Sequence, residues 1–377
     1  MRLRINRRVR ITPILETHIM KALSDSTCED MLNDSGDRAE LNRDLMRFLW
    51  RNPMRLFSLS RRLQESCCGR EVTYVINRNI NFTNICVGRC RFCAFRKSDG
   101  YILTHEEIVQ RAKEAEQLGA TEICLQGGLA PGLTVEDYCE ILEVLKSNFP
   151  RMHLHAYSPM EVMHMSRCSG VDVHEALRSL RDSGLDSMPG TAAELLVDSV
   201  RKVICPEKLS TSEWSFIIKA AHAMGIPTTS TMLYGHIESF EDRLSHLEVI
   251  RSIQLETGGF TEFVLLPFVP GNTELGRISS PPDILENLKM HALARVALHP
   301  YITNIQASWV KLGREVAGAA IEWGANDLGG TLMEENISRC AGSKEGQYMS
   351  PDEFQDLIKK HGRVPTQRDT LYRRILR

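Results

Sequence analysis

From residue 72 onward, short apolar segments alternate with amphipathic stretches at intervals of roughly 30–40 residues, and few folds accommodate that rhythm. Candidate strands lie at Val72–Ile76, Glu122–Leu125, His153–Ala156, Leu185–Met188, Pro227–Met232, Thr261–Leu266, Thr303–Gln306 and Ala325–Leu328. Apolar residues at helical spacing mark helices between most of them, at Glu106–Leu118, Val135–Asn148, Val173–Ser183, Thr211–Met224, Phe240–Glu256, Leu285–Leu298 and Val310–Ala320. Gly119, Gly184 and Gly225 stand where three of these helices end, as suits a left-handed cap. Strand–helix alternation builds parallel βα units, so the chain is expected to be α/β: a complete or near-complete (βα) barrel of the TIM type, with a C-terminal segment, over residues 71–377. Residues 1–70 are expected to form a polar tail and a helical extension, because Leu45, Phe48, Leu49, Leu56, Leu59 and Leu63 recur at helical spacing.

Composition narrows the function classes. Apolar residues make up 42% and charged residues 25%, which supplies a core and excludes disorder as the main state. Lys and Arg number 46 against 48 Asp and Glu, so no overall basic field recruits nucleic acid. Five of the first ten residues are Arg, but no apolar run follows, as a secretory signal would require. No run approaches the ~20 apolar residues that cross a bilayer. Neither nucleic acid nor a membrane is an expected partner. Eleven cysteines in a large chain argue against a disulfide scaffold and for a reducing, cytoplasmic setting.

In a (βα) barrel the loops after the strands meet on one face, where sites are built. Here those loops carry the unusual residues: Asn79–Asn84, Gln126-Gly127-Gly128, His155–Glu161, Pro189–Glu194, Tyr234–Glu238, Gln306–Trp309 and Asn326–Gly330. The sharpest signal follows the first strand, Cys86-Val-Gly-Arg-Cys90-Arg-Phe92-Cys93, a C-x3-C-x2-C run with an aromatic residue before its last cysteine. Three soft thiolates in eight residues can grip one corner of an iron–sulfur cube and leave its fourth iron open. Structural zinc and free core thiols are the alternatives, although zinc wants four ligands and no second cysteine pair is spaced to supply them. Cys28, Cys67, Cys68, Cys124, Cys139, Cys168, Cys205 and Cys340 are scattered and read as apolar filler.

A C-x3-C-x-aromatic-C run after the first strand of a (βα) barrel resembles the signature of the radical S-adenosylmethionine enzymes. The resemblance implies a 4Fe–4S cluster on Cys86, Cys90 and Cys93, with S-adenosylmethionine chelating the open iron, and oxygen sensitivity. Gly127 and Gly128 look like the family's glycine motif for the methionyl amine, though Leu129 stands where the family often has Glu. Phe92, Ser158, Glu194 and Arg201 are the further candidates for holding this cofactor, Arg201 for its carboxylate.

The phrases Asn77-Arg-Asn-Ile-Asn-Phe-Thr-Asn84, Leu154-His-Ala-Tyr-Ser-Pro-Met-Glu161, Asp186-Ser-Met-Pro-Gly-Thr-Ala-Ala-Glu194 and Gly324-Ala-Asn-Asp-Leu-Gly-Gly330 are similar to the CofH group, as is the C-terminal stretch from Gly362 to Tyr372. That group comprises the 5-amino-6-(D-ribitylamino)uracil–L-tyrosine 4-hydroxyphenyl transferases of deazaflavin FO and coenzyme F(420) biosynthesis. The menaquinone-pathway futalosine cyclase is the nearest alternative, set apart by the stretches Ser158–Glu161 and Gly190–Glu194.

The resemblance implies that a deoxyadenosyl radical takes hydrogen from the amino group of L-tyrosine. The Cα–Cβ bond then breaks, and the 4-hydroxybenzyl fragment adds to the ribitylaminouracil. A second enzyme, CofG, and an external one-electron donor are the implied partners. Such chemistry needs a proton acceptor, for which His155, Glu161 and His236 are candidates. It also needs polar and aromatic contacts to the two substrates, for which Asn81, Gln126, Tyr157, Tyr234, Gln306, Trp309 and Asn326 are candidates.

Overall fold

A computed structural model describes residues 40–344 and 346–375; the polar tail expected before residue 40 lies outside them. Its strands are β1 (Glu71–Val75), β2 (Asn77–Ile80), β3 (Glu122–Leu125), β4 (His153–Ala156), β5 (Thr228–Tyr234), β6 (Phe260–Pro267), β7 (Ile305–Ala307), β8 (Asp327–Gly330) and β9 (Val364–Arg368). Two parallel ladders, β2-β3-β4 and β5-β6-β7-β8-β1, share one continuous stave, because β1 runs into β2 through Ile76. Single bridges, His155 to Ser187 and Met188 to Thr228, join the two ladders between β4 and β5, in the arrangement of a TIM-like (βα) barrel.

Two departures from the expected strands have local causes. Leu185–Met188 forms only those bridges. The Asp186 carboxylate accepts from the Leu154 N–H at 2.8 Å, where a ladder would use a carbonyl, and Pro189 ends the segment. The ninth strand, β9, is absent from the sequence reading because Pro365 and its polar neighbours argue against a strand. It nevertheless pairs with β1 from Glu71–Val364 to Val75–Arg368. Inside the barrel its last residue, Arg368, grips Asp327 with two hydrogen bonds, of 2.6 and 3.0 Å, and lies 3.5 Å from Glu262.

The expected helices are present, and Gly119, Gly184 and Gly225 end theirs at positive φ. Gly313, at φ 81°, divides the last one into Trp309–Leu312 and Arg314–Ala320. The expected N-terminal helix is two, Arg43–Arg51 and Pro53–Cys68, because Pro53 has no N–H to continue the first and starts the second. Helix Ile284–Leu298 is buried on nearly every face, from Met290 to Leu298 without a break. A helix buried on nearly every face needs cover on both sides, and the Pro53–Cys68 helix supplies the outer one. Among the described residues no helix is long and apolar enough to cross a membrane.

Three buried histidines, His155, His246 and His291, and the half-buried His222 are held by burial at pKa values of about 4, 3, 4 and 4. The unfolded chain binds protons at these sites near pH 6.5, while the fold refuses them until much lower pH. Stability is therefore expected to fall as pH drops from 6.5 toward 4. Glu262, which burial raises to about 7, offsets part of this loss. Denaturant midpoints measured between pH 7 and pH 5 should decline; a flat or rising profile would contradict the assignment.

Arg368→Met leaves the Asp327 carboxylate buried without its cation. It should cost about 3–5 kcal/mol of unfolding free energy, and a loss below about 0.5 kcal/mol would show that β9 is not anchored by this pair.

Candidate functional site

After β2 the chain crosses the barrel mouth as a loop that closes on itself. Thr83 bridges Ile102, Ile85 bridges Lys97, and the Asn84 side chain accepts from the Tyr101 N–H at 2.9 Å. Cys86, Cys90 and Cys93 sit on this loop. Its inner edge rests on the turn after β3: the Gly128 N–H donates to Thr83 O at 2.8 Å and the Val87 N–H to Leu129 O at 3.0 Å. The approach leaves no room for side chains. A Cβ on Gly128 would lie 2.2 Å from Ile85 O, and one on Gly127 would lie 2.6 Å from the Phe82 ring.

The three thiols line a cavity of about 420 Å³ that descends from the loops into the barrel, a volume suited to small ligands. Three soft donors on one rigid loop at the mouth fit an iron–sulfur cluster. Burial pushes the Cys90 thiol up to about 12, a barrier that a bound cation removes. A second depression, of about 680 Å³, opens on the outer surface, where Glu334 already pairs with Arg78 and Arg111.

The structure brings many of the expected residues to this cavity: Phe92, Gln126, Gly127, Gly128, His155, Ser158, Glu161, Glu194 and Gln306. Ser158 and Glu161 form a capping box at the head of helix Pro159–Ser169. Glu161 Oε2 accepts from the Ser158 N–H and Oγ at 2.7 and 2.6 Å, and Oε1 accepts from the Gly127 N–H at 2.9 Å. This carboxylate, raised by burial, ties the β3 and β4 turns together while lining the cavity. Glu194, at φ 44°, pairs with Lys208 at 2.5 Å, and that ammonium lies 5.4 Å from the Phe92 ring centre. His155 is neutral at ordinary pH. Its Nδ1 sits 2.7 Å from Ser187 Oγ, and its ring lines the cavity.

Seven expected site residues fall outside the cavity wall, each for a local reason. Arg201 is buried and spends its guanidinium on the carbonyls of Ala192, Ala193, Leu195 and Leu209, shaping the loop that carries Glu194 rather than meeting a ligand. His236 accepts from the Ile237 N–H at 2.8 Å, and its Nε2 lies 3.2 Å from Leu233 O, so both ring nitrogens are engaged away from the site. Tyr157 packs edge-on to Phe82 and Tyr138 and donates to Tyr138 O at 2.8 Å. Tyr234 donates to Asn287 Oδ1 at 2.6 Å. Trp309 donates to Gly330 O at 3.0 Å and packs on Phe354. Asn326 Oδ1 accepts from Arg295 and from the Ile305 N–H, which stitches β7 to β8. Asn81 is buried with its amide directed at Gln126 O.

The wall also holds Cys124, read from the sequence as apolar filler, and residues the sequence did not single out: Thr229, Thr231, Glu262, Lys311 and Arg368. Inward-facing strand positions are told from outward ones only by register, which composition does not reveal.

Gly128→Ala should force the cysteine loop off the β3 turn. The purified variant is expected to stay folded by circular dichroism yet lose most of its iron on anaerobic reconstitution; iron content equal to the parent chain would contradict this seating.

Comparison with known proteins adds a family to this geometry. The model of the Radical SAM superfamily matches residues 80–250, and that of the CofH/MqnC C-terminal region matches residues 257–375. The chain is 50% identical over 354 residues to the 5-amino-6-(D-ribitylamino)uracil–L-tyrosine 4-hydroxyphenyl transferase 1 of Methanosarcina acetivorans, covering 92% of this chain and 94% of that one. It is 52% identical over 324 residues to the transferase of that name from Archaeoglobus fulgidus, covering 86% and 94%. Among solved structures, the hydrogenase maturase HydG superposes with a TM-score of 0.72 at 15% identity over 95% of this chain and 79% of that one. Methylornithine synthase PylB gives 0.65 at 18% identity over 93% and 96%; at such identities the likeness shows the fold.

Proposed function

The chain belongs to the radical S-adenosylmethionine superfamily and, within it, to the 5-amino-6-(D-ribitylamino)uracil–L-tyrosine 4-hydroxyphenyl transferases, and from that membership we propose that its barrel cavity joins the hydroxybenzyl group of L-tyrosine to the ribitylaminouracil. The observation that carries the reading is the three-cysteine loop seated over one deep cavity in a chain half identical to enzymes of that name. Those relatives carry the transferase name, which does not favour the futalosine alternative.

Cys86, Cys90 and Cys93 would hold the 4Fe–4S cluster, and the turn at Gly127-Gly128 with Glu194 would flank S-adenosylmethionine. Cluster and cofactor together supply a deoxyadenosyl radical at the cost of one electron, which an external donor must provide. The chain's own residues do the rest. Leu129, Val264, Leu266, Phe268 and Val310 supply the apolar part of the wall, against which a reactive fragment is kept from water. Gln306, and Gln126 through the oxygen its Thr191 contact leaves over, present amides to a uracil edge or a ribityl chain. His155, inside the cavity with its Nδ1 2.7 Å from Ser187 Oγ and held neutral by burial, would act as a hydrogen-bonding partner to bound substrate rather than as a strong base. CofG would consume the product, and the cytoplasm is the compartment this chemistry suits.

The reconstituted, reduced protein, given S-adenosylmethionine, L-tyrosine and 5-amino-6-(D-ribitylamino)uracil, should yield an adduct of hydroxybenzyl mass that depends on both substrates. Cys90→Ala should abolish it. His155→Asn should slow it roughly 10-fold while leaving the cluster intact. Deoxyadenosine formed without any adduct would discard the transferase reading.

A further inference from the structure

Four basic side chains enter the cavity wall from buried or half-buried positions, and three have settled partners or are neutral. Lys208 pairs with Glu194, Arg368 pairs with Asp327, and burial keeps His155 uncharged. The ammonium of Lys311, on the short helix after β7, has no hydrogen-bond or ion-pair partner among the described residues. Burial lowers its pKa, and of the charges that act on it Glu335 weighs most, followed by Glu194 and Cys93.

Glu335 stands in the loop after β8, lines the same cavity and forms no ion pair with Lys311. It is fixed by two contacts: Oε1 accepts from the Ser338 N–H at 2.6 Å and Oε2 from Asn79 Nδ2 at 3.0 Å. An ammonium taken out of water without an anion is costly, and Lys311 and Glu335 put one charge of each sign on the wall of the same cavity without pairing. A wall charged in this way is complementary to a zwitterion. Leu266 and Phe268 at the end of neighbouring β6 offer an apolar surface beside it for a ring.

We propose that Lys311 and Glu335 receive the head group of the substrate amino acid, with its carboxylate on the Lys311 ammonium and its ammonium toward Glu335. This deepens the transferase reading and rests on it for the identity of that amino acid as L-tyrosine. Lys311 and Glu335 stand on the loops after β7 and β8, and the turns after β3 and β4 that carry Gly128 and Ser158 lie elsewhere around the ring. Because Glu194 and Cys93 also act on Lys311, the methionyl end of S-adenosylmethionine is the competing occupant, and the test carries it as a separate ligand.

Calorimetry on the reconstituted holoenzyme tests it with three ligands: L-tyrosine, tyramine, which lacks the carboxylate, and S-adenosylmethionine. Lys311→Met should weaken L-tyrosine binding roughly 10- to 100-fold and bring it level with tyramine, leaving tyramine and S-adenosylmethionine unchanged. Lys311→Arg should recover most of the loss, and KM for L-tyrosine should rise more than kcat falls. Unchanged L-tyrosine affinity in Lys311→Met, an equal loss for tyramine, or a loss confined to S-adenosylmethionine would each overturn the assignment. Should the Met variant fail to fold, the parent chain binding L-tyrosine no better than tyramine would do the same. Failure of the transferase reading looks different: the parent chain would then form no hydroxybenzyl adduct at all.

Discussion

The site depends on one close approach of backbone to backbone. The turn after β3 comes so near the cysteine loop that only glycine fits at residues 127 and 128, and the Thr83 and Leu129 carbonyls lock the two segments together. Glu161 then ties the same turn to the head of the helix after β4 through the Gly127 N–H. One carboxylate and two glycines thus fix three consecutive loops of the barrel mouth relative to one another. The three thiols are presented by a scaffold and not by a free loop, as preorganised binding requires.

Below that mouth the barrel interior is charged, and the charges are largely compensated. Arg368 reaches in from the C-terminal segment to hold Asp327 and sit near Glu262, while the Tyr372 hydroxyl donates to Glu262. Arg295 stitches the outer helix layer to the lower ends of β7 and β8 through Gly324 O, Thr303 O and Asn326. Buried polar groups satisfied in this way rigidify a core. Against that background the unpaired ammonium of Lys311 stands out as a group whose partner arrives with the substrate.

How much of this the sequence disclosed follows from which forces are local. The βα rhythm and the helix-ending glycines are written in spacing and backbone freedom, and they located the barrel. The cysteine run and Gly127-Gly128 are contiguous, so the cluster loop and its seat were legible as well. Tyr157, Tyr234, Trp309 and Asn326 sit at the ends of strands as site residues do, yet each turns into the packing between strand and helix, a choice of face decided by tertiary register. Arg201 looked like a carboxylate ligand because its carbonyl partners are main-chain groups, which no side-chain pattern announces. Lys311 and Arg368 escaped for the converse reason: their surroundings are assembled from β6, β8 and β9, far apart along the chain.

The account's central claim is that the three-cysteine loop presents a cluster with one iron open to a ligand inside the cavity. Electron paramagnetic resonance of the reconstituted, reduced protein, recorded with and without S-adenosylmethionine, tests it most directly. The account predicts a 4Fe–4S signal that changes shape when S-adenosylmethionine is added. A signal indifferent to S-adenosylmethionine, or a protein that takes up zinc in place of iron, would contradict it.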